Sequence, residues 1–374
     1  MADRIYLDHA STTPILPQAR AAVAEAMLRW ANPASPHAEG RAARAALEDC
    51  RQRITKALGW EGQLVFTSGA SESLAIALGR GERRVVASAV EHDAVFRAAP
   101  GAQVLPIGSG SQVSREALEG ALRDGPPPIV AVQHVNPETG IVQPVAELAA
   151  VVRAAGGLLL SDCSQSAGKL PLPDADMVVL SAHKLGGPPG IGALLVRDPA
   201  MLQAIGGQEQ GFRPGTQNLP GAAGFAAAVE TWRFRRSWQR PDALPMVEWL
   251  LEMSDPILDL EYAVGRAGGR YQPVPTLGEG QMFCSWIQAI TMPGVSAAAQ
   301  LIRFDMAGIA VSAGSACSSG TLKASRTLRA FGVPEDEANC TIRISFGWPT
   351  TADDIQAFRD AWLNMADAAP GRAA

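Results

Sequence analysis

The chain has 374 residues, 47% hydrophobic and 18% charged, with a formal net charge of −5. This is the composition of a globular protein with room for two domains and a core that needs neither disulfides nor structural metal. The acidic balance and the lack of any long basic run exclude nucleic acid or an anionic membrane as the primary partner.

From about Gln63 to Arg197, short apolar runs alternate with amphipathic or Ala-rich stretches. QLVFTSG, RVVASAV, AQVLPI, PIVAVQHV, GLLLSDCS, MVVLSAH and GALLVR read as strands, separated by SESLAIALGR, EHDAVFRAA, SREALEGALRD and VAELAAVVRAAG at helical spacing. Near-continuous Val/Leu/Ile runs indicate strands buried on both faces. The expected fold class is therefore α/β, with a mostly parallel seven-stranded sheet flanked by helices. Polar residues gather at the strand ends, where open α/β sheets bind ligands: Ser68, Glu91-His92, His134 to Asn136, Asp162 and Ser181 to Lys184. After Gly215 the pattern changes. A long Ala-rich helix from about Leu219 to Arg236 is followed by a linker, SWQRPDALP, and a helix near Met246 to Leu260. Then come a strand MFCSWIQAI, a helix VSAAAQLIRFDM, a short helix, a strand TIRISF and a final helix from about Ala352 to Ala366. The expected division is a large α/β domain over 15–233 and a smaller α+β domain made of 1–14 and 234–374.

No run of about 18 to 20 apolar residues occurs, and MADRIYLDHASTTP lacks the basic and apolar regions of a secretory signal, so a cytoplasmic protein is expected. The five cysteines are scattered, with no Cys-x-x-Cys pair, which fits a reducing compartment rather than a disulfide framework or zinc site. All five histidines lie in the first half without an H-x-x-x-H pair, so no metal is expected.

Asp162 and Lys184 each end a predicted buried strand, about twenty residues apart. A charge there is costly unless paired or functional. The pair suits pyridoxal 5'-phosphate (PLP), which needs a lysine to hold it and a carboxylate to keep its pyridine nitrogen protonated. Ser68 to Glu72 joins a strand to a helix through small residues. With Ser181 and His183 it makes a plausible phosphate cup. His92 follows a strand and can stack on a ring or move protons. Cys317 sits in SAGSACSSG, a flexible Gly/Ser stretch suited to a nucleophile, whereas Cys284 and Cys340 have the apolar neighbours of inert thiols. Arg343, inside the strand TIRISF, needs a partner, either a structural carboxylate or a substrate α-carboxylate.

These residues fall in ordered motifs: YLDHASTTP (6–14), NPASPHAEG (32–40), FTSGASES (66–73), EHDAV (91–95), VNPETG (135–140), DCSQSAGK (162–169), SAHKLGGPPGIG (181–192), GFRPGTQN (211–218), SAGSACSSG (312–320) and IRISFG (342–347). Across nearly its whole length the chain resembles the cysteine desulfurases of the NifS/IscS type, in the class V aminotransferase branch of fold-type I PLP enzymes. The resemblance implies that Lys184 links to PLP and moves protons, and that Asp162 pairs with the pyridine nitrogen. Gln165 and Asn136 would bond the phenolic oxygen or orient substrate, and His92 would stack on the ring. Ala70, Ser71, Ser181 and His183 would bind phosphate, with Thr216 reaching the partner subunit's phosphate. Arg343, with Asn136, would hold the carboxylate of L-cysteine. Cys317 would take its sulfur as a persulfide, release alanine, and pass the sulfur to an acceptor protein such as an iron–sulfur scaffold. The family is typically homodimeric. Where the family usually reads T-E-S-x-N, this chain runs from Glu72-Ser73 directly to Leu74, and Pro137 stands in a motif that often reads N-N-E. The rival readings are a selenocysteine lyase or other class V lyase, which would not need Cys317, and a non-catalytic PLP-fold scaffold.

Overall fold

The computed structural model describes residues 4–29, 31–79, 83–234, 257, 259–271, 282–314 and 325–369. The expected linker SWQRPDALP, most of the helix expected from Met246 and the stretch containing Cys317 lie outside the described residues.

The seven apolar runs form one sheet. β2 (Gln63–Thr67), β3 (Val85–Ser88), β4 (Gln103–Leu105), β5 (Ile129–Ala131), β6 (Leu158–Asp162), β7 (Met177–Ser181) and β8 (Gly192–Val196) lie in the order β2-β8-β7-β6-β5-β3-β4. The contacts from β7 to β4 are parallel, and β8 runs antiparallel to both its neighbours. Alternate residues serve opposite faces, as strand geometry requires. Val86, Val130, Leu159, Val178 and Leu195 join one apolar cluster. Val85, Ile129, Leu160, Met177, Val179 and Leu194 join another on the far side. The first face is covered partly by three helices, Pro17–Met27, Ala38–Leu58 and Leu219–Phe234, which pack on one another. Ala38–Leu58 turns Ala43, Leu47, Cys50, Ile54 and Leu58 inward at helical spacing. It starts where His37 accepts the Gly40 N–H and stops at Gly59 in the left-handed region.

A second, separate core gathers Leu7, Ile290, Phe304, Ile342, Ile344, Phe358 and Trp362. It backs a sheet ordered β12 (Thr341–Ser345), β10 (Ile287–Thr291), β9 (Arg270–Tyr271), all antiparallel. Beside it β1 (Ile5–Tyr6) pairs in parallel with β11 (Ile309–Ala310). The helices Ala297–Met306 and Ala352–Asp367 pack there, with Phe304 and Phe358 stacked at 4.9 Å.

One expected strand is shorter than its apolar run. MFCSWIQAI extends only from Ile287, because its first part is used elsewhere. Phe283 bridges Ile141, the Cys284 N–H donates to Gly140 O at 2.8 Å, and Met282 O accepts from Val142 N at 3.0 Å. That stretch braces the turn after Asn136 instead of continuing the sheet.

Candidate active site

Past the carboxyl ends of β2, β6 and β7 lies a cavity of about 420 Å³, within the range of cofactor pockets. β7 ends at Ser181 and the chain makes one tight helical turn, Ala182–Leu185, closed by Gly186 at φ +81°. A β-carbon at Gly186 would lie 2.7 Å from Leu16 Cγ, so both the backbone conformation and the packing require glycine. The N-terminal segment straps this turn: the Thr13 N–H donates to His183 O at 2.9 Å. Lys184 Nζ points back along the strap and donates to Ala10 O at 2.7 Å. Burial pulls its pKa down to about 8, Arg343 adds to the fall, and Asp162 and Asp8 oppose it.

Asp162, the last residue of β6, lines the same cavity and accepts the Ser164 N–H at 2.9 Å. Gln165 Nε2 shares Ala10 O with the lysine, at 2.9 Å. Gln165 Oε1 and Ser164 Oγ are buried and have no partner among the described residues. His92 caps the helix Asp93–Ala98 through Nδ1, which accepts the Ala94 N–H at 3.1 Å. That bond leaves the proton of the neutral ring on Nε2. Burial lowers the His92 pKa, partly offset by Asp162.

At the other end, Gly69 leads into the helix Ala70–Leu78. The free N–H groups of its first turn, on Ala70 and Ser71, share the cavity with Ser181 and His183. The helix runs unbroken through Glu72-Ser73-Leu74, and Ser73 Oγ ties to Thr67 Oγ1 at 2.9 Å. Departure from the family pattern here therefore leaves the cup intact. Burial would raise the Glu72 pKa, but bonds from Ser68 and from Arg213 Nε (2.9 Å) outweigh it and keep the carboxylate charged.

A second cavity of about 370 Å³ adjoins the first, and His92, Pro137 and Lys184 line both. Arg343, from the middle of β12, reaches its wall. Nη1 donates to Pro137 O at 3.0 Å, while Nη2 donates to Asp8 Oδ1 at 2.6 Å and to Ser11 Oγ at 2.7 Å. Nε is buried and unpartnered among the described residues. Ser312 and Gly314, just before the stretch that carries Cys317, and Arg326 and Thr327, just after it, line this cavity too. Ser312 exchanges backbone hydrogen bonds with Arg343, and Ser325 Oγ donates to Glu138 Oε2.

Two expected positions lie off the walls of both cavities in this subunit. Asn136 is fully buried and lines neither cavity. Its Oδ1 accepts from Glu138 N, Thr139 N and Thr139 Oγ1, and its Nδ2 reaches Val90 O, so the amide is consumed holding its own turn. Pro137 takes the place on the wall. Thr216 lines neither cavity of this subunit and is exposed, beyond Gly215 at φ +91°. Asp8, Ala10 and Ser11 were not singled out from sequence, although they sit in the quoted YLDHASTTP motif. The available signal was an acidic residue at the end of the apolar run IYL.

A lysine with a depressed pKa, a facing carboxylate, an anion cup and unpartnered buried polar atoms fit PLP, and the seven-stranded sheet is that of a fold-type I PLP enzyme. The aminotransferase class V family model matches residues 5–244. The chain is 34% identical to "Cysteine desulfurase IscS" of Anaeromyxobacter sp. (strain Fw109-5), over 94% of this chain and 89% of that one. It is 32% identical to "Cysteine desulfurase IscS 1" of Archaeoglobus fulgidus, over 94% of each. Among solved structures, the NifS-like protein from Rickettsia africae ESF-5 superposes with a TM-score of 0.84 at 28% identity, covering 97% of this chain and 99% of that one. The chain belongs to the class V aminotransferase family, within its cysteine desulfurase group, and the family is PLP-dependent.

Proposed function

We propose that this chain removes sulfur from L-cysteine, leaving L-alanine and a persulfide on Cys317. One observation carries the reading: Lys184 stands where two cavities meet, with Asp162 and the anion cup on one side and Arg343 on the other. When bound, PLP supplies an electron sink for the substrate's α-carbon. The cup of Ala70, Ser71, Ser181 and His183 would hold its phosphate, Asp162 its ring nitrogen and Gln165 its phenolic oxygen, and His92 would stack on its ring. Lys184 Nζ, near pKa 8, exchanges its proton readily at neutral pH. Arg343 anchors the substrate carboxylate. The Cys317 thiolate attacks the substrate sulfur, the C–S electron pair passes to carbon and is protonated, and sulfur stays on the enzyme as a reversible persulfide.

The position of Cys317 in the chain supports this role. Cys317 follows Gly314, a residue of the second cavity's wall, by three residues in sequence. The buried thiols are poor competitors: burial raises Cys163 and Cys284 to about 12 and Cys50 to about 11. The separate cores behind the seven-stranded and the three-stranded sheet support a large domain over 15–233 and a smaller one of 1–14 with 234–374. Exposed Thr216 suits a homodimer in which it meets the partner subunit's phosphate. The free thiols suit a cytoplasmic enzyme that hands sulfur to an acceptor, such as an iron–sulfur scaffold.

The test is to supply L-cysteine and a thiol reductant to PLP-loaded enzyme and quantify both products. Alanine and sulfide in equal amounts are expected. Pyruvate or ammonia in place of alanine would overturn the assignment in favour of another lyase.

A further inference from the structure

Arg343 is not a free anion receptor. A guanidinium offers two edges to a bidentate carboxylate: the end-on edge, Nη1 with Nη2, and the side-on edge, Nε with Nη2. Both use Nη2. Here Nη2 already spends its two hydrogens on Asp8 Oδ1 (2.6 Å) and Ser11 Oγ (2.7 Å). Ser11 Oγ in turn donates to Asp8 Oδ1 at 2.9 Å, so the three groups form a closed ring. Among the described residues, the N–H groups left are Nε, buried and unpartnered, and the second hydrogen of Nη1. They lie on different edges and cannot form a fork together.

We propose that Asp8 is an internal competitor for the substrate's carboxylate, a positioning residue that sets how tightly Arg343 holds amino acids. The inference rests on Arg343 being the carboxylate anchor. An incoming amino acid gains the bidentate contact only by displacing Asp8 or Ser11 from Nη2. Asp8 is placed for the exchange. Two residues on is Ala10, whose carbonyl holds Lys184 Nζ, and the Asp8 backbone is fixed independently, since Tyr6 Oη donates to Asp8 O at 3.1 Å. Alanine carries the same carboxylate as cysteine, so the return of Asp8 to Nη2 also drives product off. The guanidinium is thus never left buried without a charge partner, which is the costly state.

The experiment is a titration of PLP-loaded enzyme with L-alanine, followed by the cofactor's visible absorbance and by calorimetry, in wild type, Asp8→Asn, Ser11→Ala and Arg343→Gln. Removing the Asp8 charge is expected to tighten alanine binding by about tenfold or more, the worth of one charge-assisted hydrogen bond. Ser11→Ala should tighten it less, and Arg343→Gln should weaken it. In steady state, Asp8→Asn lowers KM for L-cysteine and lowers kcat where alanine release limits turnover. Weaker or unchanged alanine binding in both Asp8→Asn and Ser11→Ala, with Arg343→Gln still damaging, overturns the competitor role. If Arg343→Gln leaves alanine binding unchanged, the carboxylate anchor itself is misassigned. Cofactor absorbance at wild-type intensity checks that each variant is folded, and Ser11→Ala carries the test if Asp8→Asn fails that check.

Discussion

On the sheet side of Lys184, the buried Ser164 Oγ and Gln165 Oε1 have no partner among the described residues, whereas beyond the lysine Arg343 keeps only Nε unpartnered among them, its Nη2 being doubly engaged by Asp8 and Ser11. Unpaired buried polar atoms are costly to leave bare, so that wall favours an occupant that stays. A cation with its own carboxylate suits an occupant that arrives and leaves each turnover. The first wall is the end of a sheet packed on both faces. The second is assembled from the N-terminal segment and β12, with Asp8 and Arg343 335 residues apart. On the proposed reading, the sheet end would hold the resident cofactor and the long-range junction the exchanging substrate.

The sharpest way to break this contrast is on the sheet side. Lys184→Ala is expected to lose all covalently retained PLP: after gel filtration the visible cofactor band disappears and desulfuration falls to background. Retention of the band at wild-type intensity would move the covalent link to another amine. The Asp8 and Arg343 variants address the other side, with tenfold rather than complete effects. A finer test concerns pH. An ordinary lysine, with a pKa of 10.5, is almost wholly protonated at neutrality, but burial and Arg343 hold Lys184 near 8. The unprotonated amine captures the cofactor. The rate at which cofactor-free protein gains its visible band should therefore rise about tenfold per pH unit at low pH and level off above about 8. Arg343→Gln removes one of the charges lowering that pKa, so its midpoint should move upward. A midpoint that stays put would show that the two cavities are not electrostatically joined.

Much of this was legible in the residues, for reasons that also mark the limits. The seven central strands announced themselves because strands buried on both faces are continuous apolar runs, and Asp162, Lys184 and the Ser68 to Glu72 turn sit at their ends. Helix Ala38–Leu58 escaped notice because its buried stripe is diluted by charged residues. The pairing of β1 with β11 escaped because two-residue strands have no periodicity to read. Asn136 marks one limit: sequence shows an amide in a motif, but not that three donors within its own turn converge on its oxygen. The Asp8–Arg343 pair was out of reach for a related reason. Each half was visible as a charge in an apolar setting, and only the folded chain joins them.

Transfer of sulfur to Cys317 can be seen by mass mapping of the enzyme after L-cysteine is added without reductant. In wild type the peptide containing Cys317 should gain one sulfur atom, with alanine formed in the same amount, and Cys317→Ala should bind PLP yet form neither. Unchanged alanine production by Cys317→Ala, or the extra sulfur on Cys163, Cys284 or Cys340 instead, would rule out Cys317 as the sulfur carrier.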